Sequence, residues 1–255
     1  MSSQPTFQKP EFFKQMNQSI FNQPLNPLTL MPFKNEAQKR IQHHNFEGDL
    51  VLKSLAGLEG NMETIHKSYQ QAIAKSSARH AYILTLYAKG LIPFGLFAQA
   101  ATLMAQAYHF YQNLEYLADA IQFYGLAGRF HQASELLKIW AKVCPDKVHP
   151  FSHLAAKIMA FMDEQQVNDD DLQGLIDLAL SILRQNQLTI VPEQIEVDLY
   201  ADESSQWFHY GILLHESVEK IVAMDSELAD KAVEECPPQI IRGGFVPLFK
   251  AVGNE

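Results

Sequence analysis

Ten histidines and two cysteines are the first side chains to weigh as chemistry in this 255-residue chain. His149 and His153 stand four apart, the spacing at which one helix face offers two imidazoles to a metal, but Pro150 falls between them where a helix would begin. No third ligand follows at a suitable spacing and HExxH does not occur, so capping or surface positions account for the pair. His43-His44 reads as a solvated pair. Neither Cys144 nor Cys236 has a CxxC partner, and Cys144 is expected at the end of a helix, where the dipole does not lower a thiol pKa. The strained serine turn GxSxG is absent, as is a Walker loop; Gly243-Gly244 lacks the downstream Lys-Ser/Thr that would hold phosphate and magnesium. Glu196 and Asp198, two apart, share one face of an expected strand, where acid–base chemistry is open to them and a polar face turned to water explains them more simply. No catalytic residue, cofactor or metal is assigned on these grounds.

Elements must position whatever these residues do, and the stretch that organises them repeats. Leu58-Glu59-Gly60-Asn61-Met62 aligns with Leu126-Ala127-Gly128-Arg129-Phe130 at an offset of 68 residues, twice 34. The same offset carries Ile65 onto Ala133, Tyr69 onto Leu137 and Ser77 onto Pro145, while Phe94-Gly95-Leu96-Phe97 sits one residue off the midpoint. Glycine in these places ends one helix in the left-handed region and lets the next begin. Helix pairs are predicted over 49–58 and 63–75, 78–89 and 96–111, and 113–126 and 130–143, with a capping helix over 152–164. The connector Gly90-Leu91-Ile92-Pro93-Phe94-Gly95 is longer and more apolar than a repeat turn needs.

A helix–turn–helix unit of 34 residues resembles the tetratricopeptide repeat, and the third pair presents Leu117, Tyr124, Gly125, Ala133, Leu137 and Pro145 in that family's order. The resemblance covers residues 45–165. It implies a mostly α fold, an α-solenoid of about three helix pairs with a cap, whose concave groove binds a peptide or helix without catalysis. By register it points to polar and aromatic side chains on each pair's first helix as partner-binding residues: Lys53, His80, Tyr87, Tyr116, Gln122 and Tyr124.

Flanking segments differ in kind. Residues 1–44 form an N-terminal arm, rich in Gln, Asn and Pro with phenylalanines at 7, 12, 13, 21 and 33; it either lies along the repeats or docks into a partner. Residues 166–255 read as a small α+β module, helix–hairpin–helix. Asn168-Asp169-Asp170-Asp171 caps a helix over 172–185, 194–200 alternates as a half-buried strand, 207–214 is its hairpin partner, and 216–235 returns to helix. The segment 240–249 reads as a short strand, a turn and a docking tail. Two strands alone are marginal, so the module is expected to pack on the repeats or to pair its sheet across a homodimer.

Charge divides the chain at the same place. Residues 1–147 carry 14 Lys+Arg against 10 Asp+Glu, and residues 148–255 carry 6 against 19, so +4 and −13 make up the net −9. A +4 half is weak for nucleic acid, which is not expected as a ligand, and a −13 surface attracts basic proteins. No apolar run is long enough to span a bilayer and the first residues contain no apolar signal core, so no membrane partner and a cytoplasmic location are expected; two buried, reduced thiols fit that compartment. The function expected is a protein-binding scaffold or adaptor that uses the repeat groove or the acidic module to hold another protein or peptide, a basic one by charge. One alternative is a regulator whose arm occupies the groove until a peptide or nucleic-acid ligand displaces it; a further one is an enzyme with an unrecognised site.

Overall fold

A computed structural model describes residues 80–202 and 205–252, with helical positions also at 31–32, 34–36, 38–39, 63, 65–67 and 69–70. The expected arm, the helix over 49–58, the Gly60 turn and Lys53 lie outside the described residues, apart from those few helical positions of the arm. Of the helix expected over 63–75, Ile65 and Tyr69 are buried. The chain divides into two compact units, Met1–Ala72 and Ile73–Glu255, and the second holds every element described here.

Four antiparallel helices open that unit: α1 (His80–Leu91), α2 (Phe97–Tyr111), α3 (Leu114–Leu126) and α4 (Phe130–Val143), each packed on the next. The pairs α1–α2 and α3–α4 start at 80 and 114, a 34-residue spacing, while their second helices start 33 apart, at 97 and 130. Close approach rests on small residues, with Ala81, Ala88, Ala100, Ala101, Ala107, Ala120 and Ala133 all buried, and Phe97, Phe130 and Met104 fill the space between backbones. Each such large side chain removed from water contributes about 1.5–3 kcal/mol. Asn113 starts α3 by accepting the Glu115 amide at 2.9 Å. Gly128, at φ 76°, ends it: its own amide reaches Gly125 O, and the Arg129 amide reaches Tyr124 O, the paired bonds of a Schellman close.

The helix α5 (Ser152–Glu164) follows and buries Ala155, Ile158, Phe161 and Met162. The next, α6 (Asp169–Gln185), begins three residues before the predicted start because Asn168 and Asp171 close a reciprocal cap at its N-terminus. It lies across the turns of both helix pairs. A Cβ on Gly95 would stand 2.8 Å from Leu180 Cδ2, and one on Gly128 2.8 Å from Ile176 Cδ1. The apolar connector owes its composition to this contact. Its residues 92–94 form a 3-10 turn with Ile92 and Pro93 buried, Arg184 donates to Phe94 O at 2.8 Å, and the Ile190 amide donates to Pro93 O at 3.1 Å.

A three-stranded sheet completes the unit: β1 (Ile195–Ala201) antiparallel to β2 (Gln206–Leu214), and β3 (Phe245–Ala251) parallel to β2, in the order β1-β2-β3. Two helices, α7 (Val218–Glu235) and the short α8 (Pro238–Arg242), carry the chain from β2 to β3. The hairpin is as expected, and the expected tail is instead the third strand, with Pro247 tolerated because β3 is an edge. On one face Phe208, Tyr210, Ile212, Phe245 and Phe249 are buried. Phe208 meets Phe130 of α4 edge-on at 5.9 Å, Phe245 meets Phe161 of α5 at 5.1 Å, and Tyr210 donates its hydroxyl to Leu126 O at 2.9 Å. The boundary expected at 165–166 therefore falls inside one shared core. The chain is mostly helical with a small sheet, and no helix of the described residues is long and apolar enough to cross a membrane.

Candidate functional site

The helix α2 has a second face. Phe97, Ala100, Ala101, Met104, Ala107 and Tyr108 go to the core, while Thr102, Ala105, Gln106, His109 and Phe110 recur at helical spacing on another side. With Tyr124 of α3 these line an open cleft of about 380 Å³. Thr102 Oγ1 donates to Ala98 O at 3.0 Å and stands 3.2 Å from the Tyr124 hydroxyl, which therefore donates to it and is held at the cleft wall. At the end of the helix Phe110 is 57% exposed, and across the turn Leu114 is 37% exposed. The cleft is mostly apolar, with one imidazole, one carboxamide and a hydroxyl pair, and its lining carries no carboxylate, thiol or ammonium. Such a surface binds and orients; it does not supply a nucleophile with its base.

Of the six residues pointed to by register, Tyr124 lines the cleft and Gln122 is exposed elsewhere on α3. Tyr116 is half-buried, packed on the clusters of Ala81, Leu84 and Ala107 and of Tyr108, Leu117 and Ile121. Tyr87 is 8% exposed, and burial pushes its phenol pKa up, so it belongs to the core rather than to an open groove. His80 is the first residue of α1, and nothing of its side chain is described; Lys53 lies outside the described residues. Register placed the groove on the first helix of each pair, whereas the cleft has its floor on α2, a second helix. The signal available for it was the run His109-Phe110-Tyr111, aromatic residues at a helix end beyond the buried stripe.

Titratable groups converge at two other places. At the joint of α4, α5 and α6, His131 sits between Asp169 (2.9 Å from Nδ1) and Asp163 (3.2 Å from Nε2). Partial burial disfavours its charged form, but hydrogen bonds and charge from both carboxylates together hold the imidazole above its ordinary pKa. Asp169 also accepts the amides of His131 (3.0 Å) and Gln132 (3.1 Å), so a residue in the first turn of α6 caps α4. Arg129 reaches back to Asp170 at 2.8 Å and to Gln173. This cluster ties three helices together.

The second place is the outer face of the sheet. Lys250 Nζ donates to Glu196 Oε2 at 2.6 Å, and that bond holds the carboxyl below its usual range. His209, 5% exposed, places Nε2 3.8 Å from the same oxygen, beyond hydrogen-bond reach and without another partner. Burial, then the nearby ammonium, push its pKa down, so the ring is neutral at pH 7. Gly211 makes the convergence feasible, because a Cβ there would stand 2.9 Å from Nε2 and 3.2 Å from Oε2. Glu196 and Asp198 share this face as expected, but their carboxylates serve different ends: Asp198 Oδ1 accepts the Leu199 amide at 2.8 Å. His149, the other buried histidine, packs edge-on against Trp140 at 4.9 Å and takes the Phe151 amide on Nδ1, while His153 is exposed in the first turn of α5. Among the described residues no three His, Cys, Asp or Glu side chains are grouped to hold a metal, and Cys144 and Cys236 are both free thiols.

Comparison with family models, with curated proteins and with solved structures finds no match to this chain.

Proposed function

We propose that this protein is a non-catalytic interaction scaffold whose α2–α3 cleft receives an apolar side chain, with its polar neighbours, from a partner peptide or helix. The reading rests on the cleft itself: an apolar floor beside an exposed phenylalanine, walled by a tyrosine whose hydroxyl is already oriented by Thr102. Two features support it. The pairs repeat every 34 residues as in peptide-binding helical repeats. The lining residues sit on rigid helices rather than loops, which lowers the ordering cost of binding.

Panning a random peptide library on the full chain tests it, with Ala105→Arg as the counter-selection, since a long cation there fills the cleft without touching the buried face of α2. Enriched peptides sharing one large apolar or aromatic anchor, and losing at least about tenfold in affinity on the variant, are the expected result. Peptides that bind wild type and variant alike, or no enrichment, would overturn the reading.

A further inference from the structure

The helix α7 turns two faces to its surroundings. Ile221, Met224, Leu228 and Ala232 are buried. Away from them Val218, Val222 and Val233 are 62%, 57% and 70% exposed, and Ala229 is exposed with them. At about 100° per residue these four positions fall within an arc of roughly 60°, a straight apolar stripe along the helix. Valine is a weak helix former, and an exposed helix position ordinarily takes a polar, stronger one, so local preference does not explain three of them in line.

One border of the stripe is acidic. Glu219, Asp230 and Glu234 follow it at about 100–160° around the helix by the same geometry, all exposed. Both lysines of α7 are committed elsewhere: Lys220 pairs with Glu216 at 3.1 Å, and Lys231 with Glu227 at 2.7 Å. Among the described residues Glu219, Asp230 and Glu234 have no cationic partner.

We propose that this stripe and its acidic border dock a basic amphipathic helix from a partner protein. Apolar residues of that helix cover the valines, and a row of Lys or Arg along one flank meets the three carboxylates. The inference rests on the scaffold reading above but uses a different surface. Charge selects the occupant. A second copy packed antiparallel about a two-fold axis would set the acidic border of one α7 against the same border of the other, a like-charge juxtaposition that association avoids. A helix with a basic flank reverses the sign of every one of those encounters. Its length follows from the stripe: 15 residues separate Val218 from Val233, so a partner segment of about four turns, near 22 Å, spans it.

The test uses the full chain and a fluorescein-labelled helical peptide of about 16 residues, with leucines at the stripe's own spacing and lysines on one flank. Anisotropy should show saturable binding. Glu219→Lys/Asp230→Lys/Glu234→Lys should weaken it about tenfold or more, and so should Val222→Ser/Val233→Ser. A reversal of equal charge at the exposed Asp146, Glu164 and Glu193 should change it less than about twofold, and Ala105→Arg in the cleft should leave it unchanged. A peptide with a glutamate flank should bind the α7 charge-reversed chain better than wild type, a gain that misfolding cannot produce. Equal loss in both triple reversals would reduce the effect to net charge and overturn the proposal. Indifference to the valine substitutions would do the same, as would loss on Ala105→Arg, which would place the peptide in the cleft and favour that reading alone. Wild-type self-association abolished by Val222→Ser/Val233→Ser would assign the stripe to a second copy instead.

Discussion

Gly95 and Leu180 touch so closely that a Cβ on the glycine would lie 2.8 Å from Leu180 Cδ2. The turn of the second pair makes the same contact one step along α6, with Leu172 and Ile176 on either side of Gly128. From the midpoint of those two residues, 174, to Leu180 is six positions, about 9 Å of helix, which matches the 8–10 Å between packed helices. One helix from the acidic part thus spans both pairs at the pairs' own spacing.

Gly95→Ala and Gly128→Ala should each lower stability by about 2–4 kcal/mol, combining the cost of a left-handed non-glycine residue with overpacking against α6. Urea midpoints check this. Leu180→Ala, which opens a cavity over Gly95, should cost about 2–5 kcal/mol. In the pair Gly95→Ala/Leu180→Ala the losses should be less than additive, because the shortened side chain frees the space that the new methyl needs.

Gly125 offers a sharper case, since its backbone is helical and the obstacle is a ring. A Cβ there would stand 2.2 Å from Phe151 Cζ, and Phe151 is itself stacked on Phe130 at 5.8 Å. Alanine gains about 1 kcal/mol of helix propensity over glycine, yet Gly125→Ala should still destabilise by about 1–3 kcal/mol. Adding Phe151→Leu should recover part of the loss, and thermal midpoints of the three variants decide it.

Asp169 performs two tasks that substitution separates. Asp169→Ala removes the cap of α4 and should cost about 1–2 kcal/mol. Asp169→Asn keeps an oxygen for the amides of His131 and Gln132 but loses the charge, so it should retain most of the stability while the His131 pKa falls. Titration of the His131 ring by NMR reads the second effect. A His131 pKa unmoved by Asn would assign its upward shift to Asp163 alone.

Histidines pull the acid stability of this protein in opposite directions. His131 has a raised folded pKa, so its contribution is present in full below the unfolded value of about 6.5 and is lost as pH rises through the folded value. His149 and His209 are buried with lowered pKa, so the unfolded chain takes up their protons first and stability falls as pH drops below about 6.5 toward the folded values. His131→Asn should therefore be more damaging at pH 5.5 than at pH 8, and His209→Gln should reduce the loss between pH 7 and pH 5. Denaturant titrations at those pH values check both signs.

Much of the local structure was legible in the residues. The 3.6-residue periodicity, the Asn113 and Asn168 caps and the glycine turns set α4 over 130–143 and α5 over 152–164 at the predicted bounds, because those signals lie within a few residues of what they specify. The alternation over 194–200 and 207–214 likewise predicted the hairpin, whose register joins neighbours in sequence. Other features depend on partners far along the chain. The apolar connector at 90–95 reads in sequence as a departure from the repeat, and only Arg184 and Ile190, some 90 positions on, explain it. The parallel seat of β3, the Glu196–Lys250 pair and the capping of α4 by Asp169 are of the same kind. So is the cleft: Tyr124 was named from the sequence for its place in a repeat, while Thr102, Gln106, His109 and Phe110 became its neighbours through the packing of α2 on α3. Periodicity reports which face of a helix is apolar; which face is left open is decided by what the rest of the chain has already covered.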